Sequence, residues 1–320
     1  MKILIDKDIP FIQGVLEPFA EVLYLSPDEF TPASVHDADA LIIRTRTKVN
    51  QTLLEGSNVR FIATATIGYD HIDTAYCDEH HIFWTACPGC NAQAVCDYIE
   101  EALTLIEPHL PKHDTTCSKA KQQLYRVING LLTGCYRVIQ GILQRPYSKV
   151  IGIVGVGHVG SLVAQMAKQK GYRIMLCDPP KHIGVSLDEI ARICDIITFH
   201  TPLTADGDYP TFHLCDAAFL SKCKPNTVII NAARGGIVDE SALLDKLTTG
   251  HIGGAVLDCW ENEPNINHSL LLSPRLLAGS MHIAGYSLQG KWNATQMCLD
   301  ALSSHFRTPS LAALPLSSLN

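Results

Sequence analysis

Val150-Ile151-Gly152-Ile153-Val154 runs straight into Gly155-Val156-Gly157-His158-Val159-Gly160, and this stretch decides the fold. The apolar run reads as a short buried strand. The glycines that follow keep the G-x-G-x-x-G spacing of a strand-to-helix turn. Gly155 permits the tight turn, Gly157 lets the backbone approach a pyrophosphate, and Gly160 lets helix and strand pack closely. A helix is predicted over Ser161 to Lys170. Its N-terminus offers free N–H groups and a partial positive charge to a phosphate, with His158 and Val159 on the loop's edge.

A second strand, Arg173 to Cys177, leads into Asp178. That places an acid about 20 residues beyond the loop, where a carboxylate grips a ribose 2′-hydroxyl and repels a 2′-phosphate. Lys181 is close but does not replace the acid. The cofactor implied is NAD rather than NADP.

Outward from this point the chain alternates. Ile196 to Phe199, Val228 to Asn231 and Ala255 to Leu257 are further short apolar runs separated by helical pieces, a doubly wound pattern. Upstream, Ile3 to Ile5, Glu21 to Leu25, Ala40 to Ile43 and Phe61 to Ala65 repeat it, with His71 to His80 helical or turn-rich. Asn91 to Glu107 has helical apolar spacing, and Pro108 and Pro111 stop it. From Ser118 to Leu143 an apolar stripe at steps of three and four predicts another helix, packed either on its own domain or at a subunit interface. Thr308 to Asn320 reads as a poorly ordered tail.

The 320 residues are about right for two domains. The fold class expected is α/β, two Rossmann-like or flavodoxin-like domains with parallel sheets and an active-site cleft between them. Residues 1–106 with about 287–305 form one domain, 107–147 a helical insert, 148–286 the NAD-binding domain and 306–320 the tail. The hydrophobic fraction of 47% excludes global disorder, and the net charge of -7 argues against a nucleic-acid binder. The N-terminus meets charge at once and no stretch approaches a membrane span, so a cytoplasmic protein without membrane partners is expected. The 12 cysteines, scattered through apolar segments, read as reduced, buried thiols. Cys87-Pro88-Gly89-Cys90 lacks a second spaced pair and reads as a turn before a helix; no metal is expected.

Hydride chemistry needs a proton acceptor for the substrate hydroxyl and a cation near the developing carbonyl. Three segments at predicted strand ends supply them: Asn231-Ala232-Ala233-Arg234-Gly235-Gly236, Asp258-Cys259-Trp260-Glu261-Asn262-Glu263-Pro264, and Ser280-Met281-His282-Ile283-Ala284-Gly285-Tyr286.

With these residues in view, the chain resembles the D-isomer-specific 2-hydroxyacid dehydrogenases. It is most similar to the branch that oxidises 4-phospho-D-erythronate in pyridoxal phosphate biosynthesis. The narrower likeness rests on Asp37 to Leu41, Arg44, Thr47 to Asn50, Thr64 to Thr66 with Asp70-His71, and Pro88 to Ala92. Cys177-Asp178-Pro179-Pro180, Phe199 to Leu203 and His282 to Tyr286 complete it. The resemblance implies catalytic roles for Arg234, Glu263 and His282. Arg234 binds the substrate carboxylate and polarises the C2 oxygen. His282 exchanges the hydroxyl proton, and Glu263 fixes its tautomer and favours its protonated form.

The likeness also implies that Asp258 meets the nicotinamide end of NAD, and that Thr201, Ala232, Ala233 and Gly285 line the cofactor. Thr45, Thr66 and Tyr286 match substrate contacts. Arg44, Arg46 and Lys48 either help hold a phosphate or form a solvated face. Glu261 reads as solvated, and His71 and His200 as packing or cofactor-side residues. Rival readings are a sibling enzyme acting on 3-phosphoglycerate, glyoxylate or hydroxypyruvate, and a non-catalytic NAD-sensing module. Three departures stand out. Met281 occupies a position usually proline, residues 108–147 are longer than the likeness implies, and the usual further C-terminal dimerisation domain is not seen before residue 320. The 118–143 helix is therefore expected to take over part of a homodimer interface.

Overall fold

The computed structural model describes residues 1–110 and 149–307. The expected 118–143 helix and the expected tail lie outside the described residues. The chain divides into two compact units, Met1–Val95 with Gly285–Asn320, and Cys96–Ala284.

The first unit holds a five-stranded sheet: β1 (Lys2–Asp6), β2 (Glu21–Leu25), β3 (Ala40–Ile43), β4 (Phe61–Thr64) and β5 (Phe83–Thr85). Their order is β2-β1-β3-β4-β5, with every pairing parallel. This is the flavodoxin-like order, with its switch point between β1 and β3. Ile3 to Ile5, Ala40 to Ile43 and Phe61 to Ala63 are fully buried, because helices cover both faces of a parallel sheet; this is why these strands read as unbroken apolar runs. The Leu288–Phe306 helix returns to this sheet, burying Ala294, Cys298, Leu299 and Leu302 in a core with Ile3, Ile5 and Phe61. Each buried Leu, Ile or Phe among them contributes on the order of 1.5–3 kcal/mol. Ser287 caps the helix by accepting the Gly290 N–H at 2.9 Å.

The second unit holds seven strands: β6 (Val150–Val154), β7 (Arg173–Asp178), β8 (Ile183–Gly184), β9 (Ile196–Phe199), β10 (Thr227–Asn231), β11 (Ile252–Leu257) and β12 (Leu276–Gly279). They lie in the order β12-β11-β10-β9-β6-β7-β8. All pairings are parallel except β7 with β8, which is antiparallel. The chain reverses at β6, so β6 and β9 flank the switch point where open α/β sheets bind ligands. The loops after β6, β7, β9, β10, β11 and β12 consequently emerge at one edge of one sheet. No helix among the described residues is long and apolar enough to cross a membrane. The ten cysteines among the described residues are all free and buried.

Candidate active site

The glycine turn follows from sterics. Gly155 sits at φ +88, and a Cβ there would stand 2.7 Å from the His200 carbonyl oxygen. At Gly160 a Cβ would lie 2.0 Å from the Gly155 carbonyl oxygen, so only glycine lets the helix close on the turn. Gly157 differs: a Cβ would meet no protein atom within 4 Å. The space beside it is open to a ligand. Gly157 is also the N-cap of the His158–Gln169 helix, which no side chain caps, leaving the first N–H groups free for an anion.

Asp178 is buried at the end of β7, and its Oδ2 accepts the Val156 N–H at 2.8 Å. Lys181 donates to the Val156 carbonyl at 2.8 Å and lies 3.8 Å from Asp178. Acid and loop are thereby one assembly. Thr201, after β9, carries a buried hydroxyl with no partner, an orphaned polar atom of the kind a bound ligand satisfies. Beside it His200 is half-buried by surface area, and desolvation of its ring pushes the pKa down to about 3, so it stays neutral and bonds Thr198 at 3.0 Å. Open glycine, uncapped helix, seated acid and orphaned hydroxyl all fit a dinucleotide at this edge.

The loop after β10 is held by Asn231. Its side chain donates to the Arg234 carbonyl at 2.8 Å and accepts the Ala233 N–H at 3.1 Å. Arg234 is half-buried and donates to the Ala233 carbonyl at 2.8 Å. Ala232 is buried beside it. Gly235 is pressed against the next loop, where a Cβ would stand 1.9 Å from the Trp260 carbonyl oxygen. Arg234 also lies near enough to Cys259 for its charge to act on that thiol.

The loops after β11 and β12 bring together Glu263 and His282. Glu263 Oε1 accepts the Trp260 N–H at 2.8 Å, and Oε2 faces His282 Nδ1 at 2.9 Å. A carboxylate beside Nδ1 calls for the proton there, which leaves Nε2 of the neutral ring as an acceptor. His282 has φ +54, a left-handed conformation costing a non-glycine residue on the order of 1–3 kcal/mol. Asp258 holds it there. Its carbonyl accepts the His282 N–H at 2.7 Å. Its buried carboxylate accepts the Ser280 hydroxyl at 2.7 Å, the Ile283 N–H at 2.8 Å and the Ala284 N–H at 2.9 Å. Trp260 ties the same loop by donating to the Ser280 carbonyl at 2.7 Å, and Tyr98 shares the Ser280 hydroxyl at 2.7 Å. Met281 itself is exposed.

Glu261 departs from its reading as a solvated residue. It pairs with His213, and its N–H is accepted by buried Glu240 at 2.7 Å. Burial, with the charges of Glu261 and Glu263, holds the Glu240 carboxyl above the usual range, against the Glu261 N–H bond. The sequence gives little sign of Glu240, Ser280 or Tyr98: one acid, hydroxyl or phenol looks like any other until loops distant in sequence meet.

The remaining expected residues belong to the first unit. Thr45 follows β3 and is exposed. Thr66 follows β4 and donates to the Gly68 carbonyl at 2.9 Å. Arg46 pairs with Asp8, and Arg44 donates to the Asp8 carbonyl at 3.3 Å, while Lys48 is exposed. His71 bonds Thr64 at 3.0 Å. Gly285 makes room for Asn91, whose Nδ2 would lie 2.0 Å from a Cβ. Tyr286 is exposed, with the Lys291 ammonium 4.3 Å from its ring centre. Cys87 and Cys90 are buried, and Cys87 Sγ lies 3.6 Å from Cys298 Sγ, so the thiols pack in the core.

The sequence profile of the D-isomer specific 2-hydroxyacid dehydrogenase, NAD binding domain, matches residues 123–284. The chain belongs to this family. It is 45% identical over 314 residues to the erythronate-4-phosphate dehydrogenase of Bacteroides fragilis, covering 96% of this chain and 80% of the relative. The namesake from Porphyromonas gingivalis is 37% identical, covering 96% and 76%. Among solved structures, the NAD-dependent formate dehydrogenase of Staphylococcus aureus, in complex with NAD, superposes with TM-score 0.67 at 25% identity, covering 97% of each chain. The D-lactate dehydrogenase of Aquifex aeolicus, complexed with NAD and lactic acid, gives TM-score 0.70 at 21% identity over 96% of each chain and shows the fold alone. The two-sheet α/β reading, made from the alternating apolar runs, and the NAD-binding domain, made from the glycine turn, stand with the family. This chain is an NAD-dependent oxidoreductase of 2-hydroxy acids.

Proposed function

We propose that this chain oxidises 4-phospho-D-erythronate to (R)-3-hydroxy-2-oxo-4-phosphooxybutanoate, a cytoplasmic step in pyridoxal 5′-phosphate biosynthesis. The observation that carries the chemistry is the His282–Glu263 pair at 2.9 Å on the ligand-binding edge of the NAD-binding sheet. The likeness to curated erythronate-4-phosphate dehydrogenases supports the substrate. NAD, when bound, supplies the acceptor for the hydride leaving C2. Gly155, Gly157, His158, Val159 and Gly160 would hold its pyrophosphate, Asp178 its ribose, and Thr201, Ala232, Ala233 and Gly285 its remaining faces.

His282 Nε2 takes the C2 hydroxyl proton as the hydride departs, and Glu263 stabilises the resulting imidazolium through Nδ1. Arg234 binds the substrate carboxylate and polarises the C2 oxygen with its planar fork. Thr45, Thr66 and Tyr286 contact the polyol phosphate, and Lys48 offers charge to the phosphate. Asp258 reaches the nicotinamide end of the site while steadying the His282 loop. We further infer a homodimer to whose interface the 118–143 segment contributes, tested by light scattering on a variant with Leu131→Asp and Val138→Asp; an unchanged mass in folded protein removes that segment's part in the interface.

The deciding experiment is a panel of 4-phospho-D-erythronate, 3-phosphoglycerate, glycolate and glycerate, following NADH formation. Highest kcat/KM on 4-phospho-D-erythronate is expected. Preference for another acid would overturn the substrate, and NADH binding without turnover on any of them would overturn the enzyme reading.

A further inference from the structure

Cys259 takes no part in the chemistry above, yet its Sγ lies beside it. A ligand atom each from Cys259, Glu263 and His282 lie within 4.8 Å of one another. Cys259 is buried, whereas the Glu263 and His282 side chains are partly open to solvent, so the cluster has a closed floor and an accessible mouth. Thiolate, carboxylate and imidazole are the donors that zinc takes at about 2.3, 2.1 and 2.0 Å. In a tetrahedral site those lengths put donors about 3.3–3.7 Å apart. The His282–Glu263 pair, at 2.9 Å, is already close to that spacing, and the Cys259 Sγ lies within 4.8 Å of both ligand atoms.

The surrounding charge is mixed. Burial of Cys259 works against its thiolate, the nearby Asp258 and Glu263 charges favour a cation there, and Arg234 opposes it. We propose that Cys259, Glu263 and His282 form an inhibitory site for a thiophilic divalent cation, Zn²⁺ being the natural occupant. The cation takes the place of the proton between Nδ1 and Oε2, which moves to Nε2 of the ring, and displaces the thiol proton, so binding releases one proton and forms N–Zn, O–Zn and S–Zn bonds. A fourth position stays open to water.

The inhibitory consequence rests on the proposed role of His282. A metal on Nδ1 fixes the ring proton on Nε2, the atom that must accept the substrate hydroxyl proton. It also removes Glu263 from the ring. Hydroxy-acid oxidation then stops although the cofactor loop is untouched. Magnesium and calcium, which prefer oxygen ligands, leave the enzyme active.

The test uses the whole chain, with binding and inhibition read separately. Co²⁺ is added to the wild type, to Cys259→Ser and to Cys259→Ala. A thiolate-to-cobalt charge-transfer band is expected in the wild type and absent from both variants. Zn²⁺ is then titrated into turnover assays. Chelator-reversible inhibition is expected in the wild type, its midpoint moving to roughly tenfold higher zinc or beyond in the variants. Both variants are used because a buried serine hydroxyl finds no ready partner, whereas alanine needs none. A wild type without the band, or variants that bind Co²⁺ with the same spectrum, overturns the site. The band without inhibition keeps the site and overturns its link to the proposed role of His282.

Discussion

Glu240 accepts the backbone N–H of Glu261 at 2.7 Å, from a position almost closed to water. A buried carboxylate thus steadies the turn whose later residue, Glu263, faces His282. Replacing Glu240 with alanine leaves that N–H without its partner, an expected cost of about 1–3 kcal/mol. Glutamine keeps an acceptor and is expected to cost less. Urea unfolding of the two variants separates the outcomes.

The same residue has a signed pH dependence. Burial raises the Glu240 carboxyl above its unfolded value, so the folded chain holds that proton more tightly. Its stabilising contribution is full below the ordinary glutamate range and is lost as pH rises through the raised value. Glu240→Gln does not titrate. Relative to wild type, its melting temperature is therefore expected to be higher at about pH 7 than at about pH 4. A difference that is flat or of opposite sign refutes the assignment.

Two glycines of one turn should fail differently. Gly160→Ala drives a methyl into the Gly155 carbonyl and is expected to cost several kcal/mol, on the order of 3 or more, or to prevent folding. Gly157→Ala meets no protein atom, so its melting temperature should match wild type while NADH affinity falls at least about tenfold. Thermal melts and NADH fluorescence titration read the two effects independently.

His282→Ala is expected to lower kcat by about 10²–10⁴ with NADH affinity kept, the range for one general base. Stopped-flow turnover beside a cofactor titration checks both. Loss of affinity equal to the loss of rate would place His282 in cofactor binding instead.

Asp178→Ser removes the carboxylate that accepts the Val156 N–H and is proposed to repel a 2′-phosphate. Affinity for NAD is expected to fall about tenfold and the preference over NADP to narrow. Steady-state kinetics with both cofactors decides it.

Most of the sheet-forming runs were plain in the sequence because parallel strands are buried on both faces; Ala40–Ile43 and Ile196–Phe199 announce themselves by composition alone. Three strands were not. Phe83–Thr85, Ile183–Gly184 and Leu276–Gly279 are short and lie at sheet edges, where pairing depends on a neighbour supplied by the fold rather than on a local pattern. The site divides the same way. The glycine turn, Asp178 and His282 stand in contiguous motifs. Glu240 carries no local signal in the sequence, and the Cys259 thiol reads as a core filler. Their meaning lies in loops that meet only when the strands line up.

The collision that any Cβ at Gly235 would have with the Trp260 peptide has one more implication. The turn bearing the guanidinium and the turn bearing the carboxylate mesh like two gear teeth. Reshaping one to welcome a different hydroxy acid will rotate the other. Any change of substrate preference that works through either turn therefore has to recast both together.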